Sequence, residues 1–108
     1  MSGNGIKDLS SLDRVIHEPA RLMIMTILFA VEEADFVYLQ HECGLTQGNL
    51  SSHLSKLEEV GYLTITKTFK GKYPLTICRL THNGRQAFAS YSAKMRFVTD
   101  PPGSPKAH

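Results

Sequence analysis

The sequence predicts an α+β domain that is mainly helical and carries one β-hairpin. Three observations lead there: apolar residues recur at helical spacing in several separate stretches, the period falls to two between Tyr62 and Leu80, and a glycine lies between the two alternating runs. The 108 residues, 42% hydrophobic and 20% charged, fit one ordinary globular domain, small for burying a core.

Met1 to Gly5 is rich in Gly, Ser and Asn, and a flexible N-terminus is expected over 1–8. Leu9, Leu12 and Ile16 predict a short helix from Leu9 to His17. Glu18-Pro19 breaks it, and Pro19 suits the first position of a second helix, Pro19 to Glu33. That helix is apolar around most of its circumference, which places it centrally. Its longest apolar run, Leu22 to Val31, is ten residues interrupted by Thr26, against about 20 for a bilayer span. No apolar stretch near Met1 resembles a signal peptide, and a cytoplasmic location is expected.

Asp35 to Val37 reads as a short strand or an extended link, and Tyr38 to Cys43 as a short helix. Gly44 suits the left-handed conformation that ends helices. Thr46 is placed to cap the next helix, with Asn49 three residues on able to reach back. Leu50, Leu54 and Leu57 give this helix, 46–60, a narrow apolar stripe, while Gly48, Asn49, Ser52, Ser55 and Lys56 point the other way. Beyond Gly61, Leu63, Ile65, Lys67 and Phe69 alternate with Thr64, Thr66 and Thr68, and Leu75 to Leu80 behaves likewise. Lys70-Gly71-Lys72-Tyr73-Pro74 is the expected loop between them. Thr81 caps a last helix, His82 to about Met95, with Ala87, Phe88, Tyr91 and Met95 on one face. Three prolines after Thr99 suggest a disordered tail over 97–108. A short helix, a glycine turn, a polar-faced helix and a hairpin with cations at its end together describe a winged helix-turn-helix over 9–96.

That helix, 46–60, is the main functional signal. Small hydrogen-bonding side chains and a lysine suit a groove lined with donors, acceptors and phosphates. The net charge of +2 conceals an asymmetry: residues 1–45 carry three basic and seven acidic side chains, residues 46–85 six and two, and residues 86–108 three and one. The positive charge follows the polar helix and hairpin, as a polyanionic partner requires. Thr46, Gln47, Gly48, Asn49, Ser51, Ser52, Ser55 and Lys56 are the candidate DNA contacts on the helix. Gln47 and Asn49 can bond adenine or a phosphate, or only cap the helix, and Lys56 can neutralise a phosphate. His53 borders the stripe, so it packs partly against the wing or the first helix, or contacts a base or phosphate. Lys67, Lys70, Lys72 and Arg79 are the hairpin candidates, with Lys70 and Lys72 at a tip that has no core to serve. Tyr73 stacks on sugar or stiffens the wing, Arg85 pairs with an acid in preference to a phosphate, and His17 and His82 read as structural.

Enzyme readings find no nucleophile elbow, phosphate-cradling glycine motif or His/Cys cluster, so neither catalysis nor a metal or cofactor is expected. Cys43 and Cys78 form no disulfide framework and read as buried thiols. The stripes Leu9/Leu12/Ile16 and Phe88/Tyr91/Met95 either pack together within one chain or form a two-fold dimer interface. The second is preferred because reading two half-sites about 34 Å apart requires a dimer.

The chain resembles the winged-helix transcriptional regulators of the ArsR/MarR superfamily (arsenic and multiple-antibiotic-resistance repressors), especially small stand-alone ones. The resemblance runs from about Asp13 to Tyr91. It rests on His17-Glu18-Pro19-Ala20-Arg21-Leu22, Leu45-Thr46-Gln47-Gly48-Asn49-Leu50-Ser51-Ser52-His53-Leu54, Lys56-Leu57-Glu58, Gly61-Tyr62, Lys67-Thr68-Phe69, Pro74-Leu75-Thr76 and Leu80-Thr81-His82-Asn83-Gly84-Arg85. Each piece is weak alone; their order and gaps carry the match. The resemblance implies a homodimer on a pseudo-palindromic operator of double-stranded DNA, with repression the commoner outcome. It also implies a recognition helix in the major groove and a wing on the backbone or minor groove. Metal-sensing members carry a cysteine-rich motif where this chain has only Cys43 with His41, and ligand-responsive members need longer dimerisation helices. Nothing in the residues points to a small-molecule effector. The rival readings are a protein-interaction module on the same fold, and a regulator responsive to thiol oxidation or metal through Cys43 or Cys78.

Overall fold

In the computed structural model, which describes residues 6–100, a polar side chain at the foot of each α-helix accepts a backbone N–H three residues on. Glu18 does this for α1 (Pro19–Ala30), Asp35 for α2 (Phe36–Cys43), Thr46 for α3 (Gln47–Glu59) and Thr81 for α4 (His82–Thr99). Each such cap contributes about 1 kcal/mol and fixes where its helix starts. Three strands complete the domain: β1 (Ala34–Asp35), β2 (Leu63–Lys70) and β3 (Tyr73–Leu80), antiparallel in the order β1-β3-β2. The predicted fold class, a mainly α domain with a β-hairpin wing, is the one observed.

The leucine stripe of α3 faces inward. Leu50, Leu54 and Leu57 join Ile16, Ile24, Met25, Leu28, Leu39, Leu63 and Cys78 in one buried cluster to which nearly every element contributes. α1 crosses the middle of the domain and buries Ala20, Ile24, Met25 and Leu28, but Met23 and Phe29 on its far side stay exposed.

Several boundaries differ from the sequence reading, most of them where a local hydrogen bond intervenes. The predicted helix from Leu9 to His17 is instead a 3-10 helix, Ile6–Ser11, followed by a turn. The Asp13 carboxylate accepts the N–H groups of Val15 and Ile16, at 2.9 and 3.2 Å, and so offers the backbone an alternative to helix. The 3-10 helix also covers residues 6–8, assigned above to a flexible N-terminus; residues 1–5 lie outside the described part. The Asp35 cap draws Phe36 and Val37 into α2, leaving a two-residue strand. α1 stops at Ala30, short of the predicted Glu33. The hairpin loop is two residues rather than five, because Tyr73 and Pro74 pair with Lys70 and Phe69. α4 runs to Thr99, past the expected start of the tail at 97, with the Asp100 N–H bonded to the Arg96 carbonyl 2.7 Å away. The tail beyond residue 100 lies outside the described part.

The terminal stripes close on each other within one chain. Ile16 is fully buried, and Phe88 and Tyr91 are only 9% and 4% exposed. The Phe88 ring lies 4.9 Å from that of Phe29, and the Tyr91 hydroxyl is 2.8 Å from His17 Nδ1. Ile16, Phe88 and Tyr91 therefore leave the proposed two-fold interface: periodicity reports that a residue is covered, not which chain covers it. Leu12 and Met95 pack partly on the core and Leu9 is half-buried.

Candidate nucleic-acid interface

Gly44 turns the chain between α2 and α3. At φ 64° it adopts the left-handed conformation; its N–H bonds to the His41 carbonyl and that of Leu45 to Gln40, both at 3.3 Å. Thr46 Oγ1 then accepts the Asn49 backbone N–H at 3.1 Å. That bond uses only the backbone of Asn49. Its side-chain amide has no partner among the described residues, and the same holds for Gln47, Ser51, Ser52 and Ser55. All five are exposed, as are Thr46, Gly48 and Lys56. Lys56 makes a loose 3.9 Å pair with Glu59, a surface contact of little energetic weight. One side of α3 thus presents amides and hydroxyls that only solvent or a partner can satisfy.

β2 and β3 pair from Leu63↔Leu80 at the base to Lys70↔Tyr73 at the end. Gly71 and Lys72 form the turn, with Gly71 at φ 64° in the first position, as a type II′ hairpin requires. Alternation puts Leu63, Ile65, Lys67 and Phe69 on one face. Gln47, Ser51, Ser55 and Glu58 of α3 line an open groove with Ile65 and Lys67 of β2. Residues 66–74 are all exposed, so the outer half of the hairpin stands clear of the body. Lys67, Lys70 and Lys72 lie on this free part.

Two predicted residues are placed elsewhere. Arg79 pairs with Thr64 on the opposite face and forms an ion pair with Glu33, directing it away from the groove. His53 is held by α1: Arg21 Nη1 lies 3.1 Å from its Nδ1. A guanidinium only donates, so Nδ1 accepts and Nε2 carries the ring proton. Glu18 Oε1, 3.8 Å from the same nitrogen, is too distant for a hydrogen bond. The Arg21 backbone N–H, foremost, and the nearby Arg21 charge hold the Glu18 carboxyl below its usual pKa, against the effect of burial. His53 thus belongs to the seam between α1 and α3, packed against the helix that opens at Pro19 and not against the wing or the Leu9–His17 segment named in the sequence reading.

Sequence reasoning missed the residues that fix the hairpin's base. Thr81 donates its N–H to the Tyr62 carbonyl at 3.0 Å and its hydroxyl to the Gly61 carbonyl at 2.6 Å. A Cβ on Gly84 would lie 2.0 Å from the Tyr62 carbonyl oxygen, so only glycine lets α4 approach this closely. The Tyr62 hydroxyl donates to the Asp13 carboxylate; burial, foremost, and Asp13 push its pKa up to about 12. Arg85 pairs with no acid among the described residues. It donates to the Phe29 and Leu28 carbonyls at 3.3 and 3.4 Å, near the end of α1, and lies over the Phe29 ring. The only sequence signal was the Thr81 cap with glycine three residues on.

Burial raises the pKa of both thiols, that of Cys78 to about 11, so both stay protonated and poorly nucleophilic near neutral pH. No three His, Cys, Asp or Glu side chains among the described residues are grouped to hold a metal ion.

Comparison with known proteins agrees with this geometry. The family described as "Winged helix DNA-binding domain" matches residues 20–98. An uncharacterised protein of Methanocaldococcus jannaschii is 38% identical over 79 residues, 72% of this chain and 85% of the relative. The structure of a transcriptional regulator homologue from Pyrococcus horikoshii OT3 superposes with a TM-score of 0.83 at 27% identity, covering 92% of this chain and all of that one. A protein assigned to the MarR family of transcriptional regulators, from Enterococcus faecalis V583, gives 0.72 at 19% identity over 92% and 89% of the two chains. The transcriptional repressor BigR from Xylella fastidiosa gives 0.61 at 22% identity over 94% and 91%. These last two likenesses are of fold.

Proposed function

We propose that this chain, which belongs to the winged helix DNA-binding domain family, is a MarR-type transcriptional regulator that acts as a homodimer on a pseudo-palindromic operator, most simply as a repressor. α3 enters the major groove and the hairpin lies along the neighbouring backbone or minor groove. The observation that carries this reading is the exposed face of α3: five amide and hydroxyl side chains without partners among the described residues, beside a free-standing hairpin bearing three lysines. A self-contained surface would have satisfied more of these groups internally or carried a mixture of charges.

In this reading Gln47 and Asn49 meet base edges or phosphates at the helix N-terminus, and Ser51, Ser52 and Ser55 keep the face slim enough for close approach. Lys56, Lys67, Lys70 and Lys72 neutralise phosphates, which supplies affinity without sequence information. The dimer forms through the N-terminal segment and the outer side of α4. Leu9, Leu12 and Met95 contribute; Ile16, Phe88 and Tyr91 support them from within. No described helix is long and apolar enough to cross a membrane, compatible with action on chromosomal DNA in the cytoplasm.

The test is electrophoretic mobility shift on duplexes selected from a random pool, at two salt concentrations. A retarded complex whose affinity falls with a log–log slope of about −0.9 per phosphate neutralised is expected. Recovered sequences should show two inverted half-sites about 34 Å apart. No retardation at low salt would refute the reading in favour of a protein-interaction module.

A further inference from the structure

The end of the hairpin carries two side chains that neither the core nor the lysines explain. Phe69 is 70% exposed and Tyr73 78%, and both flank the Lys70-Gly71-Lys72 turn. Exposing a phenylalanine forgoes about 1.5–3 kcal/mol of burial. A single exposed aromatic is unremarkable in a protein surface. Two of them at the extremity of a projecting ribbon, with a cation beside each, form a defined chemical surface. Strand register fixes their directions. Phe69 pairs with Pro74 and shares the face of Lys67 and Ile65, the face turned toward α3; Tyr73 pairs with Lys70 and projects from the other face.

The ribbon is also stiff there. A two-residue turn makes Lys70–Tyr73 a hydrogen-bonded pair, so the next pair, Phe69–Pro74, is a non-hydrogen-bonded one. The nitrogen of Pro74 therefore points away from β2, toward the side where β1 reaches no farther than Ile77. Proline fits without costing a ladder bond and restricts the backbone beside Tyr73.

We propose that the hairpin end is a minor-groove wedge: Phe69 and Tyr73 enter the groove from the two faces of the ribbon and force it open, while Lys70 and Lys72 hold the flanking phosphates. The inference rests on the DNA-binding reading above and adds a source of specificity to it. Dimensions support it. The minor groove of B-DNA is about 6 Å wide, whereas packed sheets need about 10 Å between them for their facing side chains. A ribbon with aromatic rings on both faces fits only a widened groove. Widening and partial unstacking are cheapest at pyrimidine–purine steps and dearest in A-tracts. The ligand class is therefore a duplex with a deformable step under the wing, chosen at a position where no hydrogen-bonding group reads a base. Charge complementarity and continuity with the α3 face favour DNA over other surfaces for this cationic, aromatic end.

The experiment uses the full chain and a duplex recovered by selection, with the step under the wing set to TA or replaced by an A-tract. The unmodified protein should prefer the TA duplex about tenfold and should raise the fluorescence of 2-aminopurine placed at that step. The double variant F69S/Y73S should lose both the preference and the fluorescence change. Its melting temperature should not move, because both side chains are exposed. The double variant K70A/K72A should bind both duplexes more weakly in equal proportion and keep the preference. Retention of the step preference by F69S/Y73S overturns the wedge and leaves the DNA-binding reading intact. Failure of the unmodified protein to retard any duplex overturns both. Binding to phosphatidylserine vesicles that F69S/Y73S abolishes, with DNA affinity unchanged, overturns the wedge in favour of a membrane-facing end.

Discussion

The two ends of the hairpin, 20-odd Å apart along β2 at about 3.3 Å per residue, are built on opposite principles. At the base, Leu63 and Leu80 are buried, Thr81 bonds two carbonyls of the preceding turn, and Gly84 lets α4 approach the Tyr62 backbone more closely than any side chain would permit. At the far end, Phe69, Lys70, Lys72 and Tyr73 are exposed, and none of their side chains has a hydrogen-bond partner among the described residues. The base spends its groups on its own chain and the tip leaves them for another molecule. Stability and partner binding should therefore be separable along one supersecondary element.

The sharpest way to break this contrast is at the base. Gly84→Ala places a methyl group inside the Tyr62 carbonyl oxygen, so α4 or the turn must move; a loss of about 3 kcal/mol in urea denaturation is expected, at the upper end for overpacking. Unchanged stability would mean that the base is loose. Tyr62→Phe removes the hydroxyl bonded to Asp13 and should cost about 1–2 kcal/mol. The same variant sharpens the comparison through pH. The Tyr62 pKa is raised to about 12 from an ordinary value of 10, so its contribution is complete below about pH 10 and is lost as pH rises from there toward 12. The stability of Tyr62→Phe should be flatter across that window.

On the α3 face and at the tip, effects should appear in binding alone. Gln47→Ala should cost about 1–3 kcal/mol on a selected duplex and relax specificity at one base pair, with little change on random DNA. Equal loss on both would remove its base-reading role. Lys72→Ala should shift stability by less than about 0.5 kcal/mol and reduce the salt slope by about 0.9, the smallest effect of the set.

Most of the fold was legible because local signals agreed. Pro19, Thr46 and Thr81 marked helix starts, Gly44 a helix end, and the change of period after Gly61 the hairpin; the structure uses all of them in those roles. The first helix was misjudged because Leu9, Leu12 and Ile16 satisfy a helical period while the Asp13 carboxylate bonds the backbone locally, a competition that apolar spacing does not weigh. The outward direction of Arg79 was implicit in the alternation that turns Cys78 and Leu80 inward. Its partner Glu33 is 46 residues away in the chain and gave no local sign. The Gly84 contact was illegible for the same reason: a glycine demanded by a carbonyl 22 positions earlier resembles any other glycine.

The two-residue turn at Gly71 and Lys72 also limits how this architecture can change over time. Because successive side chains alternate between faces, adding one residue to β2 ahead of Lys67 would send Lys67 and Phe69 to the side now held by the threonines, and adding one to β3 would break the pairing across from them. Lengthening or shortening that preserves the present arrangement must occur in steps of two on both arms, so descendants of this chain should differ in wing length by even increments.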